Sequence, residues 1–203
     1  MKILFINASP HAEASHGHKL AKELIGTIDA EVIERDLSIA PLPPITRDYA
    51  KAITSREPDT SLFQLSEQLI NEIETTDMLV INTPMHNFTV PASLKLWIDY
   101  VLRIHRTFAS TPEGKVGLMR DRPTYVIVGS GGFHRGERAR QPDFLTPYLE
   151  FALGSIGIQD VHFMLLQGLV MGDEAVALAV DAARAEFAKL SHRTHDEASE
   201  QAA

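Results

Sequence analysis

Residues 83–91 carry the side chains best suited to holding a flat heteroaromatic ring. Met85 and Phe88 supply apolar surface, Asn87 supplies an amide, and His86 supplies an imidazole. Pockets for such ligands combine apolar walls with a few polar groups at fixed positions. An ordinary turn between a strand and a helix would have a similar composition, so this segment alone leaves both interpretations open.

The elements on either side of this segment decide where it lies. The apolar run of residues 78–81 predicts a buried strand before it. After Pro91, which suits the first turn of a helix, apolar residues recur at helical spacing to about residue 104. Open α/β sheets bind ligands at the carboxyl ends of their strands. The segment is therefore a candidate ligand-binding loop.

Residues 9–17 form a second candidate loop, which follows the first predicted strand. Ser9 and Ser15 offer hydroxyl groups, and the backbone N–H groups of His16 and Gly17 open a predicted helix whose dipole favours an anion. The loop lacks both a Walker-type lysine and a G-x-G-x-x-G pattern, which favours a monophosphate ligand. The alternative is a serine- and glycine-rich turn in which a serine caps the helix.

A glycine-rich loop after another predicted strand is the third candidate region. Its residues are Gly129, Ser130, Gly131, Gly132, Phe133 and His134. Glycine lets the backbone approach a ligand closely, and His134 is either a donor to an anionic ligand edge or a solvated loop histidine. Arg135, Arg138 and Arg140 either meet an anionic substrate or form a solvated face.

The composition excludes several classes of protein. The net charge of −8 over 203 residues argues against non-specific nucleic-acid binding. The chain has no cysteine, which excludes disulfides, thiolate catalysis and zinc–thiolate sites and agrees with a cytoplasmic location. No apolar run reaches the length of a membrane span. His11, His16 and His18 could form a metal cluster, but no carboxylate or cysteine completes it, so we predict no metal site.

Predicted strands alternate with predicted helices along the chain, which indicates a parallel sheet covered by helices on both faces. We expect strands at residues 2–7, 31–35, 78–81, 123–128 and 161–166. We expect helices at residues 18–28, 92–104, around 149–153 and 173–190, and a further helix that begins at a Ser61–Gln64 capping box and ends at about residue 73. Residues 36–60 form a long proline-bearing connection, and residues 105–122 are irregular. Five such strands predict the flavodoxin-like order 2-1-3-4-5 in one domain, residues 1–190, followed by a polar tail, residues 191–203.

Three blocks of residues in this order carry a family resemblance over nearly the whole chain, to about residue 190. The first runs from Pro84 to Phe88 and continues through Leu94, Lys95, Trp97, Ile98 and Asp99; the second is Gly131 to His134; the third comprises Thr146, Pro147, Tyr148, Leu149, Gly154, Ile156, Gly157, Ile158, Asp160, Val161 and Gly168. In these blocks the chain resembles the FMN-dependent NADH:quinone oxidoreductase and azoreductase family of flavodoxin-like proteins.

The resemblance implies a role for each candidate region. It places the FMN phosphate on Ser9, Ser15, His16 and Gly17. It places the isoalloxazine ring on Pro84, Met85, His86, Asn87 and Phe88, and the pyrimidine edge of that ring on Gly129, Ser130, Gly131, Gly132 and His134. The side chains that it implies for catalysis are His134, Asn87 and His86.

The resemblance implies a homodimeric enzyme that binds FMN non-covalently. Such an enzyme transfers two electrons from NADH or NADPH to quinones, azo compounds or nitroaromatics by a ping-pong mechanism. Residues 36–60 and 105–122 are candidates to cover the flavin from a partner, and Trp97 is either part of that interface or plain core. The alternative function is a flavodoxin-type electron carrier, which would surround FMN with acidic, aromatic loops rather than with histidines and arginines.

Overall fold

The computed structural model describes residues 1–200, and the side chains of residues 1–189. Its strands are β1 (Lys2–Asn7), β2 (Glu31–Asp36), β3 (Met78–Pro84), β4 (Phe108–Thr111), β5 (Gly114–Gly117), β6 (Thr124–Gly129) and β7 (Val161–Leu166). Its α-helices are α1 (His16–Gly26), α2 (Arg47–Thr54), α3 (Gln64–Glu74), α4 (Ala92–Val101), α5 (Thr146–Ile156) and α6 (Asp173–Glu200).

Five strands form one parallel sheet in the order β2-β1-β3-β6-β7. With the β4–β5 hairpin set aside, this is the predicted order 2-1-3-4-5, and the flavodoxin-like fold is confirmed. The central strands β1, β3 and β6 are buried along nearly their whole length, as expected for a parallel sheet with helices on both faces.

The two faces of the sheet carry separate hydrophobic cores because side chains alternate along each strand. Ile3 and Phe5 of β1 pack with α1 and α6, whereas Leu4 and Ile6 pack with α3, α4 and α5. Trp97 lies in the second of these cores and is only 1% exposed. Trp97 is therefore a core residue rather than part of a surface.

The connection at residues 36–60 is not a plain loop, because it contains helix α2. Thr46 caps this helix by accepting from the N–H of Tyr49. The Tyr49 ring packs edge-on against Phe63 and Tyr100, and the Tyr100 hydroxyl donates to the carbonyl of Pro43 at 3.0 Å. The sequence pattern missed α2 because the helix is short and polar, and its one buried aromatic finds its partners far along the chain.

The segment at residues 105–122 also differs from the prediction, because it contains the antiparallel hairpin β4–β5. The backbone N–H of Met119 donates to the carbonyl of Ile156 at 2.9 Å, which ties the segment to the end of α5. These strands have four residues each and are largely exposed, so they lack the apolar run that identified the other strands.

Helix boundaries account for the other differences. Asp59, not Ser61, caps the turn before α3: its Oδ1 accepts from the N–H and hydroxyl of Ser61 at 3.0 and 2.6 Å. Helix α1 begins at His16, two residues earlier than predicted. Helix α6 continues past Leu190 to Glu200, into the predicted polar tail, and residues 201–203 of that tail lie outside the described part of the chain. Among the helices described, none has the length and apolar character needed to cross a membrane.

Candidate functional site

A cavity of about 400 Å³ opens at the carboxyl ends of β1, β3 and β6. Most of the predicted cofactor-binding residues line it, namely Ser9, Ser15, His16, Gly17, Pro84, Met85, His86, Gly129, Ser130 and Gly131. Asn87, Phe88, Gly132 and His134 are not among its lining residues. The three loops predicted separately from the sequence therefore meet at one site.

Six further residues line the cavity. Three of them, His11, Ala14 and Thr83, belong to the candidate loops but had no predicted role, whereas Asn82, Leu169 and Val170 lie outside those loops. Leu169 and Val170 follow β7, whose carboxyl end lies at the same edge of the sheet, so the parallel topology was a signal for them. Asn82 and Thr83 interrupt the apolar run of β3, and a polar residue inside a buried strand was the signal there.

Two buried asparagines hold the first two loops together. The Nδ2 of Asn82 donates to the Oδ1 of Asn7 at 2.8 Å, and the same oxygen accepts from the N–H of Ser9 at 3.3 Å. The Nδ2 of Asn7 donates to the carboxylate of Asp36 at 2.7 Å. A buried amide needs such partners, because leaving one unsatisfied costs about 1–3 kcal/mol. The network therefore sets the position of the Ser9 loop relative to β3.

The start of α1 forms one wall of the cavity. Ser15 caps the helix, because its hydroxyl accepts from the N–H of His18 at 3.3 Å. That contact leaves the N–H groups of His16 and Gly17 at the cavity wall, where the helix dipole favours an anion. At Gly17 a Cβ atom would overlap the side-chain oxygen of Asn82 and lie 3.3 Å from Ile127 Cγ2. Glycine is thus required for the helix to approach β3 so closely.

Residues 86–89 form a tight turn beside the cavity mouth. The backbone groups of His86 and Thr89 exchange hydrogen bonds of 2.9 and 3.1 Å. Asn87 and Phe88 between them have φ values of 48° and 74°, which is the pattern of a type I′ turn. Asparagine tolerates positive φ, but phenylalanine does so at a cost. The turn is held in place because the carbonyl of Phe88 accepts from the N–H of Phe144 at 3.0 Å.

His134 is buried behind the glycine-rich loop. Its Nδ1 lies 3.1 Å from the hydroxyl of Ser130, and that hydroxyl donates to the carbonyl of Gly132 at 2.8 Å. A hydroxyl has one proton, so Nδ1 must donate and the neutral ring carries its lone pair on Nε2. The Nε2 atom is buried and has no hydrogen-bond partner among the described residues.

The charge state of His134 follows from its surroundings. Burial lowers the pKa of the imidazole, Asp143 acts in the opposite direction, and Arg135 lowers the pKa further. The ring is therefore neutral at pH 7. The backbone at His134 is held in place because the N–H groups of His134 and Arg135 both donate to Gln167 Oε1. A neutral ring supplies a hydrogen-bonding group rather than a positive charge.

His18, in α1, lies close to two carboxylates of β2. One of its ring nitrogens and carboxylate oxygens of Glu34 and Asp36 lie within 4.8 Å of one another. The Glu34 carboxylate pairs with Lys22 Nζ at 2.5 Å, and Asp36 accepts from the backbone and hydroxyl of Ser38. Both carboxylates thus already have protein partners.

The chemistry of the cavity fits a phosphate monoester attached to a flat ring. None of the described side chains that line it is acidic, although the chain has a net charge of −8. Hydroxyls and a helix N-terminus lie on one side, and Met85, Leu169 and Val170 supply apolar surface on the other loops. An anion is stabilised by the first group, and an aromatic ring packs on the second.

Relatives of this chain have a common function in their names. An FMN-dependent NADH:quinone oxidoreductase 4 from Pseudomonas fluorescens is 60% identical over 188 residues, which cover 90% of this chain and 91% of that protein. An FMN-dependent NADH:quinone oxidoreductase 5 from Burkholderia lata is 52% identical over 193 residues, with 92% and 93% coverage.

Solved structures agree on the fold. The FMN complex of an FMN-dependent NADH-azoreductase from Bacillus anthracis superposes with a TM-score of 0.77 at 24% identity, covering 94% of this chain and 99% of that one. The flavodoxin-like fold family matches residues 1–190. This chain therefore belongs to the flavodoxin-like family that includes the FMN-dependent NADH:quinone oxidoreductases.

Proposed function

We propose that this protein is an FMN-dependent oxidoreductase that transfers two electrons from NADH or NADPH to quinones or azo compounds. The observation that carries the proposal is the composition of the cavity. The N-terminus of α1 meets the apolar loop after β3 and the glycine-rich loop after β6 there, and no acidic side chain among the described residues lines it. The 60% identical relative named for this activity supports the same assignment.

The residues of the cavity divide into two groups for holding FMN. Ser9, Ser15 and the N–H groups of His16 and Gly17 would bind the phosphate, because they offer hydrogen-bond donors, a favourable dipole and no negative charge. Residues 84–86 and 129–131 would flank the isoalloxazine ring. When bound, FMN supplies the chemistry of accepting a hydride and passing on two electrons.

The protein's own contribution is positioning rather than covalent chemistry. The Asn7–Asn82 hydrogen bond fixes the phosphate side relative to β3, and the type I′ turn fixes His86 at the mouth. His86, which lines the cavity, would exchange protons with a bound substrate or orient it. His134 would act from behind the glycine-rich loop through its Nε2, and Asn87 would orient the substrate from the exposed turn that follows His86. These roles for His86, Asn87 and His134 are part of the proposal.

The cofactor is tested by releasing it from the purified protein. We expect FMN, identified by mass, in the supernatant after acid or heat denaturation, because neither loop has the dinucleotide pattern that FAD would need. Recovery after mild denaturation also tests non-covalent binding. Recovery of FAD, or failure of the apoprotein to take up added FMN, contradicts the proposal.

The kinetic mechanism follows from a single cavity. Because the three loops converge on a single proposed flavin site, donor and acceptor would use it in turn. We therefore expect parallel double-reciprocal lines when NADH and a quinone are both varied in initial-rate measurements. Intersecting lines would mean that both substrates are bound together, and the shared site would then be wrong.

A flavodoxin-type carrier is the less favoured alternative. Such a role would call for acidic side chains around the flavin, and the described lining of this cavity has none. The relatives are also named as oxidoreductases rather than as carriers. Turnover of NADH with a quinone in the absence of any partner protein separates the two functions.

We further propose a cytoplasmic homodimer. Three phenylalanines near α5 and the 86–89 turn are unusually exposed: Phe88 at 45%, Phe144 at 60% and Phe151 at 72%. Apolar surface of this kind is typical of protein interfaces. We expect the mass of a dimer in light scattering, and a shift toward monomer for Phe151→Glu; a fully active monomeric wild type would contradict this part of the proposal.

A further inference from the structure

We propose that Arg138 binds a peripheral anionic group, a phosphate, sulfonate or carboxylate, of a substrate whose ring lies in the cavity. The inference rests on the proposed function and extends it to substrate class. Its basis is a guanidinium group that is stacked on Phe133, in the segment that follows the glycine-rich loop, and that has no carboxylate partner among the described side chains.

The position of Arg138 is defined by stacking. Its Cζ lies 3.8 Å from the centroid of the Phe133 ring, and its Nη2 lies 3.9 Å from the sulfur of Met171. Stacking occupies a face of the guanidinium and leaves the edge N–H groups that do not face Met171 available for a ligand. Less side-chain entropy is lost on binding when a flexible arginine is already held in this way.

Phe133 is itself held by the loop after β7. Gly168 has a φ of 77°, and a Cβ atom there would lie 2.9 Å from Phe133 Cζ, so a larger residue would displace the ring. The carbonyl of Phe133 accepts from the N–H of Arg140 at 3.0 Å, which closes the loop that carries Arg138. The stack is thus built by two loops rather than by one exposed side chain.

The stack is connected to a cavity wall along the chain. Leu169 and Val170 line the cavity, and Met171, which contacts Arg138, is the next residue in the chain. In this proposal the substrate ring lies against Val170, with substituents on its outer edge toward Arg138. Val170 is 80% exposed, so nothing in the described chain covers this approach.

The neighbouring arginines are already engaged. Arg135 pairs with the carboxylate of Asp143 at 3.0 Å, and the guanidinium of Arg140 donates to the carbonyls of Glu137 and Ala139. No described carboxylate lies within 4.0 Å of the Arg138 guanidinium, although the chain carries 27 acidic residues against 19 arginines and lysines. An anionic ligand would supply the charge-assisted hydrogen bonds that the protein itself does not.

The anion has two possible sources, because both substrates use the same mouth. It is either the 2′-phosphate that distinguishes NADPH from NADH, or an acidic substituent on the acceptor. Matched pairs separate them: NADPH against NADH, and the azo dye methyl red against its methyl ester, in which the carboxylate is neutralised.

The test compares three variants of the FMN-loaded protein. Arg138→Met keeps an unbranched side chain but removes the positive charge and the paired N–H donors of the guanidinium. Arg138→Lys keeps the charge but not the paired donors. Arg120→Met is the control: Arg120 is 66% exposed and lies near the amino ends of the strands, where it pairs with Asp77. Thermal melting checks that all variants remain folded.

We expect Arg138→Met to raise KM about tenfold for at least one anionic substrate, with kcat and the KM of its neutral counterpart within about twofold of wild type. A change confined to NADPH assigns the anion to the donor, and one confined to methyl red assigns it to the acceptor. Arg138→Lys should lie between, and Arg120→Met should change none of these values.

Two results would overturn the inference: no change for either anionic substrate, or equal changes for charged and neutral members of a pair. Calorimetric titration of the FMN-loaded protein with NADP⁺, NAD⁺, methyl red and its ester gives the same comparison without turnover. Absence of turnover in wild type would refute the proposed function, whereas the titrations would still decide the role of Arg138.

Discussion

Replacing Gly17 by alanine should destabilise the protein even though alanine is the better helix former. The added methyl group would overlap the side-chain oxygen of Asn82 and would lie 3.2 Å from its Cγ. Asn82 sits on the central strand β3 and has a short side chain, so it cannot yield without leaving its partner Asn7. Either α1 moves away from the sheet or the Asn7–Asn82 hydrogen bond breaks.

The expected magnitude is the balance of three effects. Alanine inside a helix gains up to about 1 kcal/mol over glycine. Overpacking in a close-packed interior costs about 1–3 kcal/mol. If Asn82 moves aside instead, losing its 2.8 Å hydrogen bond with Asn7 leaves buried amide groups unpaired, at a similar cost of about 1–3 kcal/mol. Only one of the two costs is incurred, so the free energy of unfolding should fall by about 1–2 kcal/mol for Gly17→Ala.

Helix α1 offers a matched control in Gly26, which has nothing within 4 Å of an added Cβ. Gly26→Ala makes the same chemical change in the same helix and should leave the free energy of unfolding equal or up to about 1 kcal/mol higher. Urea denaturation of the FMN-free protein gives both values, and quenching of FMN fluorescence gives cofactor affinity.

The two substitutions should differ in their effect on the free energy of unfolding, which falls for Gly17→Ala and does not fall for Gly26→Ala. We expect FMN affinity to fall at least tenfold in Gly17→Ala, because the phosphate side of the cavity moves with α1, and to stay unchanged in Gly26→Ala. If Gly17→Ala were as stable as wild type and bound FMN equally well, the contact between α1 and Asn82 would not set the position of the helix.

Two further substitutions test His134 and Phe88. Burial holds the pKa of His134 below its ordinary 6.5, so the stability gained from a neutral ring is present above that value and is lost as the pH falls through it. Urea titrations should show a smaller loss between about pH 7 and pH 5 for His134→Gln than for wild type; equal losses contradict the assignment. Phe88→Gly relieves a φ of 74° that Phe88→Ala keeps, and both variants lose the ring, so the free energy of unfolding should be about 1 kcal/mol higher for Phe88→Gly; equal values would mean no strain.

Local patterns in the sequence were sufficient for the sheet and for the general location of the site. The apolar runs of β1, β3 and β6 identify buried strands because each strand is covered on both faces. Their parallel order brings the loops after them to one edge. Ser9, Met85 and Gly131, predicted from three separate segments, accordingly line one cavity.

The parts that the sequence did not reveal depend on partners distant in the chain. Helix α2 is stabilised through Tyr49 by contacts with Phe63 and Tyr100, and no periodicity within residues 36–60 indicates it. The β4–β5 hairpin is likewise attached to α5 by a backbone hydrogen bond to Ile156. Short, polar elements of this kind are decided by packing rather than by propensity.

The detailed chemistry of the site was decided by tertiary structure alone. Asn82 reaches its partner Asn7 across 75 positions of sequence, and Gln167 holds the backbone of His134 across 33. The sequence predicts a phosphate-binding role for glycine at position 17, and the fold adds a second reason for glycine there, the close approach of the Asn82 side chain. Hydrogen bonds and burial set protonation and position, and both depend on which residues the fold brings together.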